Sequence, residues 1–176
     1  MRVPVLRGER VTLRPFEMSD APRVQQLAGA REVALNTLLI PHPYPDGAAE
    51  EWIGLQKQKA EEGHINFAID AGELVGAIGL VTKKEWGRAE VGYWIGVPFW
   101  GRGYATEATG LIIGYGFEHL NLNRIYAGYF SRNRSSGRVM EKNGMKYEGT
   151  LRQHVKKWDE YVDIVYHAIL RSEWKK

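Results

Sequence analysis

At 176 residues, 44% of them hydrophobic and 26% charged, the chain has the length and composition of one water-soluble domain with a single core. The absence of cysteine excludes disulfides, thiolate metal sites and a cysteine nucleophile. A net charge of +3 favours an anionic ligand and serves solubility equally well.

In chain order, Val11-Thr12-Leu13-Arg14 alternates as a first strand, and Met18 to Pro22 places a capping residue before an early proline, a helix start. Ile40 to Gly47 carries three prolines and reads as a stiff loop. Ala48 to Glu62 spaces Trp52, Leu55 and Ala60 as a helix. Ile65 to Ile69, Leu74 to Val81 and Ala89 to Val97 form an antiparallel meander, with turns at Asp70-Ala71-Gly72 and Trp86-Gly87. A helix runs from Ala105 to about His119, with Ala108, Leu111, Ile112 and Tyr115 on one stripe. Arg124 to Phe130 is a strand, and Ser135 to Asn143 a short helix closed by Gly144. Met145 to Thr150, Val155 to Trp158 and Tyr161 to Leu170 complete the strands. With no repeat or linker, residues 1–176 form one α/β (α+β) domain, a mixed sheet with helices on its faces.

The five histidines (His42, His64, His119, His154, His167) never fall at a helical ligand spacing, so no metal is expected. The N-terminus has no signal-peptide pattern and no apolar run approaches the ~18 residues that span a bilayer, so a cytoplasmic protein off the membrane is expected. Pro98-Phe99-Trp100-Gly101-Arg102-Gly103-Tyr104-Ala105-Thr106-Glu107 joins a strand to a helix. Its two glycines let the backbone turn tightly. The first N–H groups of the helix then face whatever sits at its N-terminus, an anion site suited to a phosphate or pyrophosphate. A Rossmann loop would need a third glycine where Thr106 stands, and no Gly-Lys-Ser/Thr makes it a P-loop.

Trp100 to Ala105 resembles the acyl-CoA loop, Gln/Arg-x-x-Gly-x-Gly/Ala, of the GNAT N-acetyltransferases. Ala89 to Ile95 resembles the strand that holds the pantetheine arm in that family. Asn133 to Met145 resembles its Asn-x-x-Ser/Ala…Glu-Lys-x-Gly-Phe helix. Leu6 to Pro15 and Tyr147-Glu148-Gly149 are similar to the RimJ/RimL-like, ribosomal-protein branch. The resemblance implies a mostly antiparallel sheet of about seven strands with about four helices. It also implies transfer of an acetyl group from acetyl-CoA, the co-substrate, to a primary amine. Gly101, Arg102, Gly103, Tyr104, Ala105 and Thr106 would hold the pyrophosphate, Trp94 or Ile95 would offer a backbone N–H to the carbonyl, and Asn133 would contact pantetheine or amine. Two departures stand out. Trp100 replaces the usual Gln or Arg, and Met140 replaces the tyrosine that protonates the leaving thiolate.

Acyl transfer needs a neutral amine, a polarised thioester carbonyl, close placement and a protonated thiolate. Glu90 is the expected base. It shares a strand face with Gly92 and Trp94, and a carboxylate beside an aromatic ring has a raised pKa. His154 is the alternative base. Ser136 resembles the serine acid of the RimL-like branch. The loop Pro41 to Pro45 with Tyr44 is expected to border the acceptor site, and Arg124, Arg132, Arg134 and Arg138 to meet the cofactor's 3′-phosphate or an acidic acceptor. The acceptor is a protein N-terminus or a small amine of polyamine or aminoglycoside type. Two other readings remain: a catalytically silent acyl-CoA-binding module, and an RNA- or ribosome-binding module. No specific nucleic acid is expected, ribosome association is left open, and the chain is a monomer or homodimer.

Overall fold

In β3 (His64–Asp70) and β4 (Leu74–Lys83), Ile65 lies opposite Leu80 and Phe67 opposite Ile78, and all four side chains are buried. This period-two burial, continued by Val91 opposite Leu80, sets the core side of a sheet. The computed structural model describes residues 3–175, so the ends of the expected domain at positions 1, 2 and 176 lie outside the described residues. The other strands are β1 (Leu6–Arg7), β2 (Thr12–Arg14), β5 (Arg88–Ile95), β6 (Arg124–Phe130), β7 (Lys146–Lys157) and β8 (Glu160–Leu170). They join one eight-stranded sheet in the order β1-β2-β3-β4-β5-β6-β8-β7, antiparallel throughout except where β5 meets β6.

The helices are α1 (Ala21–Ala28), α2 (Arg31–Leu35), α3 (Ala48–Gly54), α4 (Gln56–Glu61), α5 (Tyr104–Glu118) and α6 (Arg134–Lys142). Helices α5 and α6 cover the face that carries Leu80, Val91, Tyr93 and Ile125. Gly116 of α5 sits so close to Ile125 that a Cβ there would stand 2.7 Å from its Cδ1. On the opposite face, Asn66 of β3 donates to Gln56 of α4 at 2.8 Å. α4 follows directly on α3, which packs against α1. Arg14, between Asp20 and Asp70, ties β2 to the start of α1 and to β3.

The mixed, mostly antiparallel sheet with flanking helices agrees with expectation, and so do the glycine-closed α6 and the proline-rich loop. Three details differ. The helix expected over 48–62 breaks at Leu55, whose side chain is 40% exposed rather than part of a buried stripe. The eighth strand is the two-residue β1. Residues 146–157 form one continuous strand with two register shifts rather than two strands, because bulges absorb the interruption that the sequence marks at Gly149 and after Leu151.

Candidate active site

The parallel pairing of β5 with β6 covers three residues only, Arg88 with Arg124, Ala89 with Ile125 and Glu90 with Tyr126. Beyond that point β5 stays paired with β4 as far as Ile95, and β6 stays paired with β8 as far as Phe130. The two strands therefore part, leaving a wedge with Glu90 and Tyr126 at its narrow end. Gly96 donates to Val75 at 2.8 Å, and hydrogen-bonded pairs alternate along an antiparallel ladder. The Trp94 amide thus points to β4, while the amides of Tyr93 and Ile95 face the wedge. Of the two donors expected for a thioester carbonyl, Ile95 has the free direction and Trp94 does not. The Ile95 carbonyl accepts the Trp100 indole N–H at 2.7 Å. Trp100 thus braces the wedge in place of offering the polar side chain usual at its position.

The wide end of the wedge leads into the glycine loop and α5. Gly101 and Gly103 both hold left-handed backbone, φ 75° and 80°, which explains why glycine occupies both positions. Glu107 N–H closes the first turn onto the Gly103 carbonyl. No described hydrogen bond occupies the N–H groups of Tyr104, Ala105 or Thr106. With the helix dipole, these three unpaired amides present the donors that the expected anion site requires. Arg102 is exposed, its guanidinium 5.5 Å from the Phe99 ring centre. Arg10, which the sequence did not single out for this site, lies against the loop. It donates to the Arg102 carbonyl at 2.9 Å, pairs with Glu107 at 2.9 Å, and packs on Gly103.

Helix α6 also begins at the wide end. Asn133 caps it, its side-chain oxygen accepting the Ser136 N–H at 3.3 Å. Ser136 is buried, and its Oγ shares a 2.9 Å hydrogen bond with the hydroxyl of Tyr93, a wedge residue that the sequence reading passed over. Burial pushes the Tyr93 phenol up to about 12, against the opposing pull of Ser136. Met140 is 2% exposed and packs in the core, so no hydroxyl enters from that position.

Glu90, Gly92 and Trp94 share one strand face, as expected; it is the face opposite α5 and α6, with Gly92 open to solvent. Burial raises the Glu90 carboxyl above its ordinary value, while a hydrogen bond from Tyr126 and the charge of Arg88 pull it down. The aromatic neighbour in contact is thus Tyr126, on the adjoining strand, and Trp94 lies four residues along.

Two expectations fail on position. His154 lies exposed on β7, beside a register shift; the buried histidine is His167, stacked near Tyr129 and Tyr147. Arg124, at the start of β6, stands apart from Arg132, Arg134 and Arg138 beyond its end, so the four arginines do not form one cluster. Arg124 pairs with Glu148, Arg132 with Glu160 and the Leu35 carbonyl, and Arg138 with Ser135. The Pro41 to Pro45 loop, expected to border the acceptor site, is anchored at both ends. Gln25 donates to the Tyr44 carbonyl at 3.2 Å, and buried Lys157 donates to Ile40 and Leu38 at 2.8 and 3.3 Å. Among the described residues no group of three or more His, Cys, Asp or Glu side chains is gathered as a metal site requires.

Residues 10–146 match the family model described as "Acetyltransferase (GNAT) domain". The chain belongs to the GNAT acetyltransferases. It is 34% identical to "Uncharacterized N-acetyltransferase p20" of Bacillus licheniformis, over 94% of this chain and 96% of that one. Its fold superposes on RimJ of Mycobacterium smegmatis in complex with CoA-disulfide with a TM-score of 0.86 at 24% identity, covering 99% of this chain and 89% of that one. It superposes on RimL, a ribosomal α-N-protein acetyltransferase in complex with coenzyme A, with a TM-score of 0.87 at 16% identity, covering 95% and 98%. The likeness to RimJ and RimL is one of fold. As a GNAT enzyme, the chain is an acetyl-CoA-dependent N-acetyltransferase. No described helix is long and apolar enough to cross a membrane.

Proposed function

We propose that this GNAT enzyme acetylates an α-amine, that of a protein or peptide N-terminus. Its single domain supplies both halves of the reaction. The amides of Gly101 to Thr106 bind the acetyl-CoA pyrophosphate, the pantetheine lies along the open edge of β5, and the Ile95 N–H polarises the thioester carbonyl. Ser136, in its hydrogen bond with Tyr93, returns a proton to the departing thiolate, and Asn133 holds Ser136 in place. Glu90 takes the amine proton, directly or through water.

The observation that carries this reading is Glu90 at the narrow end of the wedge, a half-buried carboxyl with a raised pKa. Such a carboxylate is a weak base. It suits an α-amine, with a pKa near 7.7–8.0, better than a lysine near 10.4. At pH 7 roughly one α-amine in ten is already neutral, against fewer than about one lysine in a thousand. The deciding measurement is kcat/KM for peptides with free and with blocked N-termini, beside polyamines and aminoglycosides. Faster turnover of free N-termini is expected. Equal rates on blocked, lysine-containing peptides refute the proposal, and a faster polyamine or aminoglycoside replaces it with a small-amine acetyltransferase.

A further inference from the structure

On the face that carries Glu90, two arginines stand side by side where β5 and β6 are still paired, Arg88 opposite Arg124. Their guanidinium groups flank the same ring, 5.6 and 5.7 Å from the centre of Tyr126. Their charges are handled differently. Arg124 is neutralised by a two-pronged pair with Glu148, one prong of 2.6 Å. Arg88 has no ion pair among the described residues. It is held by packing, its guanidinium 4.6 Å from the centre of the Trp86 ring with Tyr126 on another side. Its Nε is buried without a hydrogen-bond partner, and no described hydrogen bond occupies its terminal nitrogens. A planar cation held against aromatic rings, with its fork unpaired, matches the bidentate geometry of a carboxylate.

The position of this fork relates it to the acceptor. Arg88 and Glu90 are two residues apart on one strand face, a spacing of about 7 Å. Around them Gly92 is exposed, and Gly128, Tyr126 and Tyr166 are half exposed, so the face is an open floor beside the base. Resting on the reading of Glu90 as the base, we infer that Arg88 binds a carboxylate on the acceptor, several bonds from the reacting amine. The substrate class is then an amine with an anionic arm: an N-terminus followed by an acidic side chain, or a short peptide with a free C-terminus.

The test uses matched acceptors, peptides with a free α-amine and Asp or Glu in the second position, against the same peptides with Asn or Gln. Wild-type enzyme favours the carboxylate member by about tenfold or more in kcat/KM, a difference of roughly 1.4 kcal/mol for each tenfold. Arg88→Gln brings the ratio to within about twofold, mainly through KM for the acidic peptide, and Arg88→Lys restores part of it. Calorimetric affinity for acetyl-CoA and the melting temperature are read on each variant to show an intact fold and cofactor site. Equal wild-type rates on the two members overturn the inference and leave α-amine acetylation standing. A preference that survives in folded Arg88→Gln overturns it too. No transfer to any free α-amine overturns the α-amine reading, and this inference with it.

Discussion

Replacing Gly103 by valine tests the anion site most directly. The structure allows its effect to be separated from that of a neighbouring glycine. Both Gly101 and Gly103 are left-handed, and an L side chain in that conformation costs about 1–2 kcal/mol. Around Gly101 a Cβ would meet nothing within 4 Å, so Gly101→Ala carries that strain alone. A melting temperature lower by about 2–8 °C follows for a chain of this size. At Gly103 a Cβ stands 3.0 Å from Nη2 of Arg10 and 3.2 Å from Nη1, and the rest of a valine reaches further. Arg10 must then move, and with it its bonds to the Arg102 carbonyl and to Glu107 in the first turn of α5. The amides of Tyr104 to Thr106 lose their alignment. Acetyl-CoA affinity should fall by about tenfold or more, 1.4 kcal/mol per tenfold, measured by calorimetric titration below the melting transition of both variants. A folded Gly103→Val protein with unchanged acetyl-CoA affinity refutes the assignment of this loop.

Four further outcomes follow. Ser136→Ala and Tyr93→Phe each lower kcat severalfold with acetyl-CoA affinity nearly intact, read by steady-state kinetics beside calorimetry. In wild type, activity falls as the pH drops through the Glu90 pKa, which burial places above the ordinary carboxylate range. Glu90→Gln lowers the rate and removes that acidic limb from the pH profile of kcat/KM. Lys157→Met strips the Leu38 and Ile40 carbonyls of their shared donor, a loss of about 1–3 kcal/mol visible as a lower melting temperature. Burial pushes the Asp20 carboxyl up, but Arg14 and the Glu17 amide outweigh it and hold it below 3.8. Its contribution to stability is present above that value and is lost as the pH falls below it, so Asp20→Asn flattens the acid side of the urea-stability profile.

The sheet and its central loop were legible because their residues are constrained locally. Val91, Tyr93 and Ile95 alternate with Glu90, Gly92 and Trp94, and the left-handed turns at Gly101 and Gly103 select glycine. Contacts between distant segments were not legible. Tyr93 reads as one more strand aromatic until Ser136, 43 residues on, is found against its hydroxyl. Arg10 reads as part of an N-terminal strand motif, yet it packs on a loop 92 residues away. Lys157 looks like a hairpin lysine, and its function of pinning the loop at Leu38 to Ile40 lies more than a hundred residues back. His154 drew attention because a histidine titrates near neutrality, a property of the residue type that says nothing of where it lies. The break at Leu55 carries no local signal, because Trp52, Leu55 and Ala60 fit one helix by spacing alone.

The brevity of the β5–β6 ladder governs how the molecule holds together. Strands β1 to β5 form one plate and β6 to β8 another. Across the seam the backbone supplies a three-residue rung and the Gly87 carbonyl, which accepts from the Asn123 and Arg124 amides at its end. The remaining coupling runs through the helices. Helix α5 rests on β4 and β5 and reaches β6 through Gly116 against Ile125. Helix α6 rests on β6 and β8 and reaches β5 through Ser136 against Tyr93, and the two helices touch each other. Asn143, at the end of α6, ties them by donating to the Thr106 carbonyl at 3.1 Å. Cooperative unfolding of the two plates therefore depends on the helices that straddle the seam, and on their joint, as well as on the sheet. Loosening that joint, as with Asn143→Ala, weakens the coupling of the halves, seen as a broadened calorimetric transition.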